Sequence, residues 1–203
     1  YKLPPGTFLR WKRGRQPHLE SYWDFDLTRR EPAPSLAAAT AELSERLRKA
    51  VAQRMIADVP LGAFLSGGVD SSTIVAHMAK ASSTPVKTCT IGFGEAAHDE
   101  REYARAVAKR YGTDHAEMVI AADMMSASPA KLDEISALYD EPFADSSALP
   151  TNQVCRLARQ RVTVVLSGDG GDESFAGYRR YLWHVREDAI RRLLPCGLRG
   201  PLF

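Results

Sequence analysis

Cysteine is scarce in this 203-residue chain. The three present, Cys89, Cys155 and Cys196, are widely spaced and form no CxxC or CxxH pattern. Such an odd, scattered set argues against a disulfide framework and against zinc. It fits a reducing, cytoplasmic setting in which each thiol is a small packed side chain and not a nucleophile. Long apolar runs are missing as well; no stretch reaches the roughly eighteen residues that a membrane-spanning helix needs. Neither sign of charge is in excess. Lys and Arg number 27 against 25 Asp and Glu, and a net charge of +2 is too balanced to argue for nucleic acid or a membrane surface as partner. The Arg-rich tail (Arg179, Arg180, Arg186, Arg191, Arg192 and Arg199) reads as a solvated helical face. No secretory signal is present, but the chain starts at Tyr1 and not at Met, so it reads as a piece of a longer polypeptide.

What is present has the balance of a globular domain: 44% hydrophobic and 26% charged residues, in a length sufficient to bury a core. Residues 1–34 are broken by Pro4, Pro5, Gly6, Gly14, Pro17, Pro32 and Pro34, with one short strand expected at 7–11. This segment reads as an arm entering a domain that runs from 35 to 203. Ser35 offers an N-cap to a helix in which Leu36, Ala39, Leu43, Leu47, Ala50 and Val51 recur at helical spacing, to about residue 57. Beyond it, apolar runs predict strands at 59–65, 86–93, 115–120 and 162–166, the last almost entirely β-branched. Helices are expected at 71–80, 100–111, 129–139, 148–159 and 173–194. This alternation predicts a parallel sheet of about four or five strands with helices on both faces. In such a sheet a ligand binds at the carboxyl ends of strands, near a topological switch point.

Two glycine-rich loops follow predicted strands. The first, Ser66-Gly67-Gly68-Val69-Asp70-Ser71-Ser72, leads into a helix. Its glycines permit close backbone approach, and the amides of a helix N-terminus favour an anion, so the loop suits a phosphate or pyrophosphate. It is not a Walker A loop, because the Gly-Lys-Ser/Thr ending is absent. Asp70 beside phosphate makes sense if a divalent cation lies between them. A plain strand–turn–helix connection with an Asp cap would explain the glycines alone, but not the whole heptad. The second loop, Ser167-Gly168-Asp169-Gly170-Gly171-Asp172-Glu173, carries three carboxylates in seven residues. An ordinary surface turn could hold them. Two acidic loops at one sheet edge make a metal–triphosphate site the better reading.

The first loop closely resembles the PP-loop of ATP pyrophosphatases, which split ATP into AMP and pyrophosphate. The second, followed by Gly177-Tyr178, resembles the second signature of glutamine-dependent asparagine synthetases. Leu3-Pro4-Pro5-Gly6 through Tyr22-Trp23 is similar to that family's passage out of its glutaminase domain. Ile91-Gly92-Phe93 with Asp99-Glu100 and Ala104 is similar to its second strand and helix. Asp140-Glu141-Pro142-Phe143 with Ser146, Ser147 and Pro150 resembles the segment on its substrate side.

The resemblance implies an α/β fold of the adenine nucleotide α hydrolase-like type and a ligase that activates a carboxylate with ATP and Mg²⁺. The acid would be aspartate, converted to asparagine through β-aspartyl-AMP with ammonia from a glutaminase domain. It assigns pyrophosphate to Ser66, Gly67, Gly68, Asp70, Ser71, Ser72, Ser167 and Gly168, and the border of the adenine to Leu65, Ile91 and Gly92. Mg²⁺ falls to Asp70 and Asp172, and Asp169 is the candidate base toward ammonia. Asp169 stands where some members have Glu. The family's catalytic N-terminal cysteine is not in this chain, and its C-terminal helices, with a pyrophosphate-contacting lysine, would lie beyond Phe203; the chain alone is therefore expected to be inactive. A homodimer is compatible with the resemblance. Two rival readings are an amidotransferase on another carboxylate, in polysaccharide, peptidoglycan or secondary metabolism, and a nucleotide-binding module without chemistry.

The remaining candidates read as structural. His18, His77, His98, His115 and His184 show no metal-ligand spacing. Phe175, Tyr178, Tyr181 and Trp183 fall on helical spacing as core or helix–helix contacts, and Arg101, Arg105, Lys109 and Arg110 as a solvated face.

Overall fold

The computed structural model describes residues 2–26, 32, 34–93, 99–120, 128–139, 143 and 145–193. Cys196, His98, Arg199 and Asp140-Glu141-Pro142 lie outside them. Packing divides the chain into two compact units, Tyr1–Glu42 and Leu43–Phe203.

In the first unit, β1 (Thr7–Arg10) pairs antiparallel with β2 (His18–Ser21), with Phe8 opposite Glu20. The second strand is absent from the sequence reading because His18-Leu19-Glu20-Ser21 carries no β-branched residue. Cross-strand partners hold it: Arg10 reaches Glu20 at 3.1 Å, and Tyr22 stacks on Phe8 at 6.4 Å between ring centres. Helix α1 (Leu36–Arg54) starts as expected at Ser35, whose Oγ accepts the Ala38 amide at 3.2 Å.

The second unit is built on four strands: β3 (Leu61–Phe64), β4 (Lys87–Phe93), β5 (Asp114–Ile120) and β6 (Val164–Leu166). They lie in the order β5-β4-β3-β6, with every pairing parallel. The intervening helices are α2 (Val69–Ala81), α3 (Arg101–Tyr111), α4 (Pro129–Ser136) and α5 (Ala148–Arg159). Residue alternation along β3 divides the core. Ala63 and Leu65 join Val51 of α1, Val75 and Met78 of α2, and Ala104 and Ala108 of α3 in one cluster. Phe64, between them, packs with Cys89 and with Leu157 and Ala158 of α5 in the other. The sheet is thus covered on both faces, as the alternation of elements predicts.

One expected helix is two. In place of a single run over 173–194, the chain forms α6 (Gly171–Phe175) and α7 (Arg179–Leu193). Ala176 takes φ +56° between them, and Gly177 backs so closely on the Asp172 carboxylate that no Cβ would fit. The expected core role of the tail aromatics also fails. Phe175 and Trp183 are 59% and 66% exposed, and no described residue of α7 is buried. Arg105, Lys109 and Arg110 are exposed as the solvated-face expectation has it, with Arg105 forked onto Glu117, whereas Arg101 is only partly exposed and is forked onto Asp99.

On the β4–β5 flank, Thr88 Oγ1 sits 2.8 Å from His115 Nδ1 and 2.9 Å from Thr113 Oγ1. Burial pushes the His115 pKa below its ordinary value, outweighing Glu117 Oε1 at 3.4 Å from Nε2. The folded state therefore binds this proton less readily than the unfolded chain. The stability that neutral His115 allows is complete above about pH 6.5 and declines as pH falls from there toward the lower folded pKa. Thermal melts should show the His115→Gln variant losing less Tm than the parent between about pH 7 and 5. An unchanged slope would remove His115 from the acid response. Burial raises the Cys89 thiol, which suits a packed cysteine; Cys155 is raised as well but is exposed, so the expectation of a packed side chain holds for Cys89 and not for Cys155.

Candidate active site

After β3 the chain moves outward through β4 to β5, and β6 then returns to the opposite flank of β3. The direction of winding reverses between β3 and β6, which makes that gap the sheet's topological switch point. With Ala63 beside Leu166 and the strands parallel, the loops after β3 and β6 leave the same edge side by side. These are the two glycine-rich loops.

The first loop is tied to itself. Ser66 Oγ lies 2.9 Å from Ser71 Oγ, the Ser66 amide donates to Ser71 Oγ at 3.3 Å, and the Gly68 amide donates to Ser66 Oγ at 3.2 Å. Gly67 takes φ +85°, and a Cβ there would fall 2.5 Å from Tyr103 Cβ and 2.6 Å from the Ala104 nitrogen. Its lack of a side chain lets the loop turn against α3. Helix α2 begins at Val69, earlier than the spacing suggests, which puts Asp70 and Ser71 in its first turn, where amides have no acceptor within the helix.

The second loop presses against the first. A Cβ on Gly168 would lie 2.7 Å from the Ser71 nitrogen, and one on Gly171 would collide with Asp70 Oδ2. The glycines allow two backbones to meet where side chains would hold them apart. Ser167 Oγ donates to Asp169 Oδ2 at 2.9 Å, and the Tyr178 hydroxyl donates to Glu173 Oε1 at 2.6 Å. That last bond holds the Glu173 carboxyl below its ordinary pKa and pushes Tyr178 up to about 12.

A cleft of about 530 Å³ opens between the loops. Of the residues singled out from the sequence, Ser66, Asp70, Ser71, Ser167, Gly168, Asp169 and Asp172 line it. Leu65, Gly67, Gly68, Ser72, Ile91 and Gly92 do not. Leu65 points into the core and donates its amide to Cys89 O at 2.9 Å, and Gly92 makes room for the Asp99–Arg101 pair. Phe64, Ser147, Gly170, Gly171, Glu173 and Tyr178 line the cleft without having been singled out as site residues, as does Asp145. Four of these belong to the second signature or its Gly-Tyr pair, and Asp145 and Ser147 belong to the segment that resembles the family's substrate side, so those signals are present in the sequence; Phe64 gives none. A larger cleft of about 610 Å³ between α5 and β6 has mainly apolar walls, including Leu138, Val162 and Val165, and lies away from the glycine loops.

Five carboxylates line the loop cleft (Asp70, Asp145, Asp169, Asp172 and Glu173), and among the described residues no Lys, Arg or His side chain does. Among those residues, too, no three His, Cys, Asp or Glu side chains are grouped so as to hold a metal by themselves. This donor set fits magnesium as it binds with nucleotides, through one or two carboxylates completed by phosphate oxygens and water.

A parallel sheet flanked by helices, with Ser-Gly-Gly-Val-Asp-Ser-Ser leaving its switch point, is the architecture of the PP-loop ATPase class. Within that class the chain belongs to the asparagine synthase family, whose model matches residues 42–201. It is 40% identical over 176 residues to a protein of Methanocaldococcus jannaschii provisionally named asparagine synthetase (glutamine-hydrolysing) 2, covering 86% of this chain and 33% of that one. It is 35% identical over 161 residues to asparagine synthetase (glutamine-hydrolysing) 1 of Bacillus subtilis, covering 79% and 25%. To amidase chry2 of Gibberella zeae it is 30% identical over 205 residues, covering 88% and 29%. The chain thus spans about a quarter to a third of the length of these relatives. Among solved structures, an NMN synthetase from Francisella tularensis superposes with a TM-score of 0.47 at 18% identity, covering 68% of this chain and 58% of its own. Among the described residues no helix is long and apolar enough to cross a membrane.

Proposed function

We propose that this chain is the adenylating domain of a glutamine-dependent amidotransferase that makes an amide from a carboxylic acid, with aspartate as the acid and asparagine as the product. The observation that carries the proposal is the meeting of two acidic glycine loops in one cleft at the switch point of an asparagine synthase-family sheet. In the first step the acid's carboxylate oxygen bonds to the α-phosphorus of ATP, and the bond to pyrophosphate breaks. Ammonia then adds to the acyl carbon and AMP leaves.

The residues divide this work. Ser66 and Ser71 fix the first loop through their own hydrogen bonds, and the first-turn amides of α2 hold the departing pyrophosphate with help from Gly67, Gly68, Ser72, Ser167 and Gly168. Asp70 and Asp172 would hold magnesium, which supplies positive charge against the pyrophosphate as it leaves. Leu65, Ile91 and Gly92 would border the adenine with backbone groups at the ends of β3 and β4. Asp169, oriented by Ser167, would take a proton from the incoming ammonia. Residues 1–34 are then the arm from a glutaminase domain, a second copy is a compatible partner, and the setting is cytoplasmic. The similarity to a protein named as an amidase supports a second reading, in which the same chemistry serves another acid.

The test is pyrophosphate release by the full-length protein from ATP, Mg²⁺ and ammonia with a panel of carboxylic acids. Release of equimolar AMP and pyrophosphate with aspartate is expected. Response to a different acid alone would select the second reading, and ATP binding without any acid-dependent turnover would mark a binding module.

A further inference from the structure

The cleft must take up a triphosphate and let a pyrophosphate go, yet five carboxylates line it and, among the described residues, no cationic side chain does. A single Mg²⁺ cancels only part of that negative charge. A further positive charge stands one ring away. Tyr178 lines the cleft, and the Arg180 guanidinium lies over its ring, with Cζ 4.1 Å from the ring centre and 5.8 Å from that of Tyr181. The ring is held in turn by its hydroxyl, which donates to Glu173 Oε1 at 2.6 Å. Arg101, Arg105, Arg156 and Arg161 are each paired with a carboxylate. Arg180, among the described residues, has ring contacts and no carboxylate partner. Its place follows from the turn between α6 and α7. Ala176 takes φ +56° and Gly177 packs on the Asp172 carboxylate, so Tyr178 and Arg180 leave directly from the second loop. The arginine therefore belongs with Asp172, on the side that the adenylation reading gives to the pyrophosphate, and not with the segment before α5.

We propose that Arg180 leaves its place over Tyr178 to bind the β- and γ-phosphates of ATP and holds the pyrophosphate as it departs. The proposal rests on the adenylation reading and adds a phosphate-binding cation to it. A guanidinium presents planar, paired donors that match phosphate oxygens, and its charge assists each bond. Contact with a ring at an exposed site is weak beside such bonds, so the stack yields to a phosphate. Until then the ring restricts the arginine to the mouth of the cleft, which reduces the side-chain freedom lost on binding.

The experiment measures the binding of magnesium pyrophosphate and of AMP to the full-length protein by calorimetry, beside steady-state pyrophosphate release. Arg180→Ala should weaken pyrophosphate binding by about ten- to a hundredfold, the range for losing hydrogen bonds to a charged group, and leave AMP binding unchanged. The kcat for pyrophosphate release should fall about as far, with the KM for the acid unchanged. Arg180→Lys should restore part of both, because an ammonium keeps the charge but not the planar fork. Arg180 is exposed, so both variants should melt with the parent. Unaltered pyrophosphate binding in Arg180→Ala, or an equal loss of AMP and pyrophosphate, would overturn the assignment while leaving adenylation intact. Formation of ADP and phosphate by the parent would instead overturn adenylation itself, and the assignment with it.

Discussion

Asp70→Ala or Asp172→Ala, each made in the full-length protein, should lower acid-dependent pyrophosphate release by about a hundredfold or more, the scale for losing one preorganised electrostatic group. The two side chains come from sequence positions a hundred residues apart, yet both line one cleft, and Asp70 Oδ2 faces the backbone of Gly171, the residue before Asp172. Neither belongs to the buried core, so removal should act on the reaction and leave folding intact. If both act through one ion, the first substitution already forfeits what the ion contributes, and the double variant should be little worse than either single one. Losses that multiply would show that the two aspartates serve separate sites.

Chelation should have an effect of similar size on binding. With EDTA in place of Mg²⁺, calorimetry should show ATP affinity for the protein falling by about a hundredfold or more. Like charges about 4 Å apart repel by roughly 4 kcal/mol at the effective dielectric of a protein surface. A triphosphate between Asp70 and Asp172 meets at least two such contacts, and no described cationic side chain on the cleft wall offsets them. First-turn amides of α2 attract the phosphate, but a helix terminus contributes only about 0.3–1 kcal/mol when exposed. Attraction of that size does not overcome the repulsion. Equal affinity with and without the metal would mean that the carboxylates do not face the phosphates.

The sequence made most of this arrangement legible for physical reasons. Strands β3 and β6 are short apolar runs stopped by glycine, and a parallel sheet buried on both faces demands such runs. Two loops after two strands could be placed at one edge from connectivity alone, and they do meet there. What escaped the reading depends on tertiary contact. The strand His18–Ser21 exists through its partners and not through its own residues. The break at Ala176 arises because Gly177 must lie against Asp172, although that glycine was visible in the sequence. The close packing of Gly67 against α3 is a second demand on that glycine which the sequence does not reveal. Asp145 and Ser147 line the cleft from the segment that resembles the family's substrate side, and which of its side chains face the loops depends on tertiary packing.

The claim at the centre of this account is that the acid's carboxylate attacks the α-phosphorus of ATP. The direct measurement supplies the full-length protein with ATP, Mg²⁺, ammonia and the acceptor acid carrying ¹⁸O in its carboxylate, and follows the label by mass spectrometry. Attack at the α-phosphorus leaves one carboxylate oxygen on AMP when ammonia displaces it, so the label should appear in AMP and not in pyrophosphate. Label in inorganic phosphate, with ADP as the nucleotide product, would place the attack at the γ-phosphorus and contradict the account.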